Sequence, residues 1–265
     1  MSRLLFLAGA LALAGALRAQ ELVRLETRSG VSQPFFIAAM GARKAEAAAL
    51  LFIGGGGNIS LRLEEGQVRF SQGNFLPRAR REFIRNAILP VILDNPSDQQ
   101  AGDGMSDAFR ESAAHVTDVR AVVAEVKKRH PGLPVFLVGT SRSTYSVAHL
   151  AKALEGEIAG AVLTSSYFYA GGRSRTPMLA SFDWAKIRAR LLFVHHVDDG
   201  CAATPYLEAA RVGKRFPLVS VEGGSPAQSG PCEPFSQHGF LGREAATVDA
   251  IAAWMLGRPF AKDVR

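Results

Sequence analysis

Val135-Phe136-Leu137-Val138-Gly139-Thr140-Ser141-Arg142-Ser143 decides how the rest of this 265-residue chain is read. Four apolar residues without polar alternation mark a strand buried on both faces, and the strand runs straight into Gly-x-Ser-x-Ser. Residues 144–153 then space their apolar positions for a helix. Working outward, the same alternation recurs. Upstream, strands are expected at 22–27 and 34–39, joined by a turn at Ser29-Gly30. A wholly apolar run, 47–53, then stops at Gly54-Gly55-Gly56-Gly57, and a small hairpin follows over 61–70 with its turn at Glu65-Gly66. Next come a helix at 78–86, a strand at 88–93 and a helix at 113–128. Downstream, strands are expected at 160–163, 191–195 and 218–221, and a last helix at 245–256. Short buried strands alternating with amphipathic helices give the fold class α/β: a mostly parallel central sheet with helices on both faces.

With 48% hydrophobic and 21% charged residues, the composition is that of one globular domain with a well-filled core, which excludes disordered and fibrous classes. The start departs from that average: Arg3 precedes the apolar run 4–14, and small residues follow. This pattern predicts a secretory signal over 1–19 and a single domain over 20–265. Cleavage fits after Ala16 or after Ala19, and the polar Gln20-Glu21 start favours the latter. The competing reading, a membrane anchor, needs roughly 20 apolar residues, more than this run holds. The formal charge of +7 falls to +5 once Arg3 and Arg18 leave with the signal. The one dense basic cluster, Arg78-Ala79-Arg80-Arg81, falls on an expected helix without interleaved aromatics, so it reads as a solvated face, with no nucleic-acid partner implied. Cys201 and Cys232 both lie in the exported part, where an even count reads as one disulfide; two free buried thiols are the alternative.

The turn after residue 138 reads as a nucleophile elbow, in which a strained turn lifts a serine hydroxyl above the strand ends. Gly139 and Ser143 flank Ser141 with small side chains because larger ones would collide across such a turn. On these residues the chain resembles the α/β-hydrolase family, with one departure: Ser143 stands where the family usually has a second glycine. The competing reading leaves Ser141 as an ordinary helix N-cap. The resemblance implies the chain order serine, acid, histidine, because a serine needs a base to take its proton and the base needs an acid to hold its tautomer. The acid is expected in the turn after Leu191-Leu192-Phe193-Val194-His195-His196, and a histidine at the strand end with the acid four residues on matches His195 and Asp199; Asp198 is the competitor. His195 and His196 themselves read as structural. The base is expected in Ser236-Gln237-His238-Gly239-Phe240, where the His-Gly pair is similar to the family's catalytic loop. His115 and His149 fall in expected helices and His130 at a helix end.

The resemblance also implies two backbone donors for an oxyanion. One is the amide of Arg142; the other comes from the glycine loop, with Gly55 first and Gly56 second. Ile53 replaces the histidine that precedes such a loop in one lipase subgroup. No Gly-Lys-Ser/Thr follows the four glycines, so nucleotide binding is not implied. A Cys201–Cys232 bond would tie the acid turn to the histidine loop. His195-His196 are adjacent on a strand and point to opposite faces, so no metal and no cofactor are implied.

The function expected is acyl transfer in a secreted or periplasmic serine hydrolase, a carboxylic ester being the leading substrate and an amide, thioester or polymeric ester the alternatives. The partner is then an acyl substrate, small or polymeric, with no membrane insertion after signal removal. The contrasting class is a non-catalytic binding protein on the same fold. Residues 165–190 are too few for a large lid, and their Tyr167, Phe168, Tyr169 and Gly171-Gly172 either line an open cleft or pack the sheet end.

Overall fold

The computed structural model describes residues 20–171 and 175–265; the expected signal over 1–19 and Gly172 lie outside them. The chain enters as an antiparallel hairpin, β1 (Glu21–Arg28) and β2 (Val31–Ile37), and reaches β3 (Ala47–Phe52). The expected small hairpin, β4 (Arg62–Glu64) and β5 (Gln67–Arg69), pairs only with itself. Two short helices follow, α1 (Phe75–Arg78) and α2 (Arg80–Arg85), and lead into β6 (Ile88–Leu93). Beyond them come α3 (Asp107–Arg110), α4 (Ala113–Arg129), β7 (Val135–Thr140), α5 (Ser143–Ala153) and β8 (Gly160–Thr164). Among its described residues, the segment after β8 holds only the two-residue strands β9 (Tyr169–Ala170) and β10 (Thr176–Pro177) and two 3-10 turns. The chain ends with β11 (Leu191–His196), α6 (Tyr206–Val212), β12 (Leu218–Val221), α7 (Glu244–Met255) and β13 (Asp263–Val264).

Nine strands form one sheet in the order β1-β2-β6-β3-β7-β8-β11-β12-β13. Only β1–β2 and β2–β6 are antiparallel. Every residue of β3, β6, β7 and β11 is buried, as continuous apolar runs require when both faces are covered. Because alternate residues face opposite ways, neighbours part company. Leu51, Val138 and Val194 join Phe83, Ile251 and Trp254 on the face covered by α2 and α7. Leu50, Leu137 and Phe193 join Val122, Val126, Val147 and Leu150 under α4 and α5. The chain goes from β3 outward to β6 and then back to β7, on β3's other side. That reversal opens a crevice at the carboxyl ends of β3 and β7, where ligands sit in open α/β sheets.

Two expectations need correction. The helix expected at 78–86 begins at Phe75 and breaks at Ala79 (φ −85°, ψ 4°), because Phe75, Leu76 and Pro77 are drawn into the core. The basic cluster is also only in part a solvated face: Arg81 is exposed, but Arg78 and Arg80 are half-buried. Arg78 pairs with Glu244 at 3.0 Å and stacks over Phe235 at 5.0 Å, while Arg80 lies over Phe70 at 5.5 Å. The missing aromatics arrive from elsewhere in the chain. Of the aromatic segment after β8, Phe168 is fully buried against His195 at 5.7 Å and the Tyr169 hydroxyl donates to Glu208, so these residues pack the sheet end.

Two imidazoles are sealed in the core. His115 on α4 lies between Phe52 and Phe109, and burial, reinforced by the Arg110 and Arg28 charges, pushes it down to about 3. His195 on β11 accepts the Ser166 N–H through Nε2 at 2.7 Å, and burial pushes it down to about 3 as well. Both folded-state values lie below the unfolded value of about 6.5. Their stabilising contribution is therefore complete above that pH and is lost as pH falls toward 3, at about 1.4 kcal/mol per pH unit for each group. Denaturant titrations between pH 7 and 4.5 should show stability falling with acidification, and His115→Gln and His195→Gln should each flatten the slope. An unchanged slope in both variants would refute the assignment.

Candidate active site

At the end of β7 the backbone of Ser141 adopts φ +55°, a left-handed conformation that a non-glycine residue reaches at a cost of about 1–2 kcal/mol. Its neighbours hold it there. The Ser141 N–H donates to Thr164 O at 2.9 Å, and the Ser141 carbonyl accepts from the Thr144 N–H at 2.9 Å and the Thr144 hydroxyl at 2.6 Å. A Cβ on Gly139 would stand 2.7 Å from Val147 Cγ2, so α5 can fold back this closely only over glycine. Gly54 is constrained in the same way: a Cβ there would lie 3.1 Å from Ser141 Cβ.

Ser143, the residue that departs from the family pattern, has a structural use. It is fully buried, and its hydroxyl accepts the Thr140 N–H at 2.9 Å while facing Phe52 O at 2.7 Å and Thr140 O at 2.9 Å. The serine therefore ties the end of β3 to the end of β7 under the elbow. With its hydroxyl so engaged, Ser143 offers no open nucleophile.

The acid turn follows β11. The Asp199 side chain is fully buried, with Oδ1 accepting the Cys201 N–H at 3.0 Å and Oδ2 the Thr204 hydroxyl at 2.8 Å. Its Oδ2 stands 3.0 Å from His238 Nδ1. Asp198 is exposed; its N–H donates to His196 Nδ1 at 3.1 Å, which leaves the His196 Nε2–H to donate to Gly223 O at 2.8 Å. His195 and His196 are thus both bound within the framework.

His238 sits in a 3-10 turn, Gln237–Gly239, capped by Ser236, and its carbonyl accepts the Ser165 hydroxyl at 2.8 Å. The His-Gly pair has a steric cause, since a Cβ on Gly239 would overlap Pro234 O. Arg78 clamps this loop from beneath by donating to Gly239 O at 2.8 Å and Pro234 O at 3.1 Å. Opposite, the Cys201–Cys232 disulfide joins the acid turn to the same loop, with Cα atoms 4.6 Å apart.

These parts meet in one cleft of about 170 Å³, lined among others by Gly54, Gly55, Asn74, Ser141, Cys232 and His238. Gly54 O accepts the Gly57 N–H at 3.2 Å around Gly55, whose φ is +61°. The N–H of Gly55, at the other end of the peptide bearing that carbonyl, points out of the turn. Gly56 does not line the cleft. Its carbonyl is turned to Asn95 Nδ2 and Met105 N, both at 2.9 Å, and it packs on Asp103-Gly104. The Arg142 side chain is drawn aside to Asp107 at 2.7 Å. Among the described residues, neither the Gly55 N–H nor the Arg142 N–H has a protein acceptor.

Sequence reasoning did not single out Asn74, Thr204 or Arg110 and read Arg78 only as part of a basic cluster; all four line or brace this site. None belongs to a local motif; only Asn74, just ahead of an apolar helical start, carries even the weak signal of an N-cap, and its side chain makes no capping bond. No group of three or more His, Cys, Asp or Glu among the described residues is arranged to hold a metal, and no helix among them is long and apolar enough to cross a membrane.

A family model described as serine aminopeptidase, S33, matches residues 99–210, which include Ser141 and Asp199 but stop short of His238. No curated protein matches the chain. Among solved structures, it is similar to an α/β serine hydrolase without lid from Xanthomonas campestris, at 15% identity and a TM-score of 0.56 over 87% of this chain and 94% of that one. An α-β serine hydrolase homologue from Coxiella burnetii aligns at 11% identity and 0.59 over 91% and 97%. Est1E from Butyrivibrio proteoclasticus, in its structure with ferulic acid bound, aligns at 14% identity and 0.59 over 89% and 98%. Sheet order, elbow and these likenesses together identify the chain as a protein of the α/β-hydrolase fold.

Proposed function

We propose that this protein is a serine hydrolase that cleaves carboxylic esters by acyl transfer. The observation that carries the reading is the buried Asp199 carboxylate 3.0 Å from His238 Nδ1, with His238 and the left-handed Ser141 lining the same cleft. A proton held on Nδ1 by Asp199 leaves the lone pair on Nε2 for the serine hydroxyl. In this reading Ser141 Oγ bonds to the substrate carbonyl carbon as its proton passes to His238 Nε2. Collapse of the tetrahedral species breaks the ester C–O bond, and His238 returns the proton to the departing alcohol. Water, deprotonated by the same imidazole, then releases the acid from Ser141. The Gly55 and Arg142 amides are the oxyanion donors, supported by their lack of protein acceptors; Gly56, which does not line the cleft, is set aside. An ester is favoured because the cleft is open and has no large lid, a shape it shares with the lidless Xanthomonas hydrolase, and because the similar Est1E structure holds ferulic acid. The disulfide suits an oxidising compartment, which residues 1–19, read as an export signal, would supply.

Ser141→Ala should abolish both ester hydrolysis and labelling by a fluorophosphonate while leaving the far-UV circular dichroism unchanged, with a loss of several orders of magnitude in kcat. Persistent labelling would place the nucleophile elsewhere. Asp199→Asn should cost on the order of 10⁴-fold in kcat, and Asp198→Asn, at an exposed position, under about threefold; the opposite ranking in steady-state assays would reassign the acid. Replacing both cysteines with serine should remove on the order of 3–4 kcal/mol of stability by the chain-entropy account of a loop this long. It should also lower kcat at temperatures where calorimetry shows the variant fully folded, because catalytic groups need placement to within roughly 0.5 Å. Wild-type turnover in that folded regime would leave the bond with a stabilising role alone.

A further inference from the structure

Beneath the glycine turn lies a charge that the reaction outlined above does not use. Arg110, the last residue of α3, has no solvent exposure. It donates through Nη2 to Gly55 O at 2.8 Å and through Nη1 to Ser146 Oγ at 3.2 Å, while Nε has no partner. No carboxylate pairs with it among the described residues; Asp107, the nearby acid, is bonded to Arg142 instead. Burial, aided by the Arg142 charge, lowers its pKa to about 10, so the guanidinium remains a cation at neutral pH. An unpaired buried cation is a net cost to folding, and an apolar side chain of similar volume would fill the space better.

We propose that Arg110 is a positioning residue that latches the Gly55–Gly56 peptide and sets a positive charge behind the oxyanion site; this rests on the serine-hydrolase reading. Four successive glycines have little intrinsic preference among backbone conformations, so the turn alone does not hold its amides toward the cleft. The carbonyl at one end of Gly55 is bonded to Arg110, and the carbonyl of Gly54 is bonded to the Gly57 N–H. With both peptides flanking Gly55 pinned by their oxygens, their N–H groups face the other way. A flip of the Gly54–Gly55 peptide would present a carbonyl where a developing oxyanion needs a donor, and Arg110, by holding the next peptide of the turn, removes the backbone freedom through which such a flip would run. The cation, fixed on the carbonyl of the same residue that carries that donor and held in a low-dielectric interior, also favours negative charge in front of it without having to reorganise.

The test compares wild type, Arg110→Met and Arg110→Lys for thermal stability, for steady-state hydrolysis of p-nitrophenyl acetate and for the rate of fluorophosphonate inactivation. Arg110→Met should fold with an unchanged or higher Tm yet lose about 10- to 100-fold in kcat, the scale of a damaged oxyanion donor, with KM within about threefold. Phosphonylation should slow in parallel. Arg110→Lys, which keeps the charge but not the two-pronged geometry, should fall between. A trifluoromethyl ketone, which forms an oxyanion on Ser141, should bind more weakly to Arg110→Met by the same factor as kcat falls, a change that a purely structural role would not produce. Folded Arg110→Met with wild-type kcat overturns the proposal. Should that variant not fold, Arg110→Lys decides: a kcat loss at constant KM supports the latch, and an effect confined to Tm overturns it. A wild type that neither hydrolyses esters nor reacts with the phosphonate defeats the serine-hydrolase reading and the latch together; a reactive wild type matched by equally reactive variants defeats the latch alone.

Discussion

The backbone of Ser141 is held at φ +55° between a strand and a helix, and most of the surrounding structure serves to keep it there. Left to itself, a serine would leave the left-handed region for a gain of about 1–2 kcal/mol. Three elements prevent this. β8 takes the Ser141 N–H through Thr164 O, α5 takes the carbonyl through Thr144, and the buried Ser143 hydroxyl binds the ends of β3 and β7 together beneath the turn. The elbow is therefore only as rigid as the parallel sheet that supplies those strand ends. That explains why the fully buried strands β3 and β7 sit at the middle of the nine-stranded order rather than at an edge.

The remaining side chains reach the cleft from loops, and loops need other means of restraint. The acid turn is stiffened by hydrogen bonds to its own carboxylate from Cys201 and Thr204, which also leave Asp199 well solvated by the protein despite its burial. The histidine loop is restrained from both sides: the disulfide holds it to the acid turn, and Arg78 holds its carbonyls to α1. The glycine loop is restrained through its carbonyls, by Asn95 at Gly56 and by Arg110 at Gly55. The histidine and glycine loops are thus each fixed by a polar group from a distant part of the chain, whereas the acid turn is fixed within five residues of Asp199.

Much of this was legible in residue order. The strand, Gly-x-Ser-x-Ser and helix pattern, the glycine run after the 47–53 strand, and the chain order of Ser141, Asp199 and His238 are local signals, because a tight turn dictates which side chains fit within a few residues of it. The structure places Asp199 in the buried turn beside His238 and Asp198 at the surface. The readings that missed were those that depended on what packs from outside the segment. Arg78 and Arg80 read as solvated because no aromatic lies beside them in sequence; Phe235 and Phe70 reach them only once the chain is folded. The helix expected at 78–86 was misplaced because the burial of Phe75–Pro77 is decided by Phe240 and the core, not by helical periodicity.

The sequence by itself determined the fold class, the alternation of buried strands and helices, the sharp turn at Ser141, and the small residues at 139 and 143 that permit it, since these follow from side-chain period and steric volume over short distances. Only the tertiary structure decided which of the glycines faces the cleft, which groups hold each loop, and that a cation lies buried behind the glycine turn. The physical reason is that a peptide's orientation is set by whatever takes its carbonyl, and here the groups that do so, Asn95 and Arg110, are separated from Gly55 and Gly56 by the β4–β5 hairpin, α1, α2 and β6.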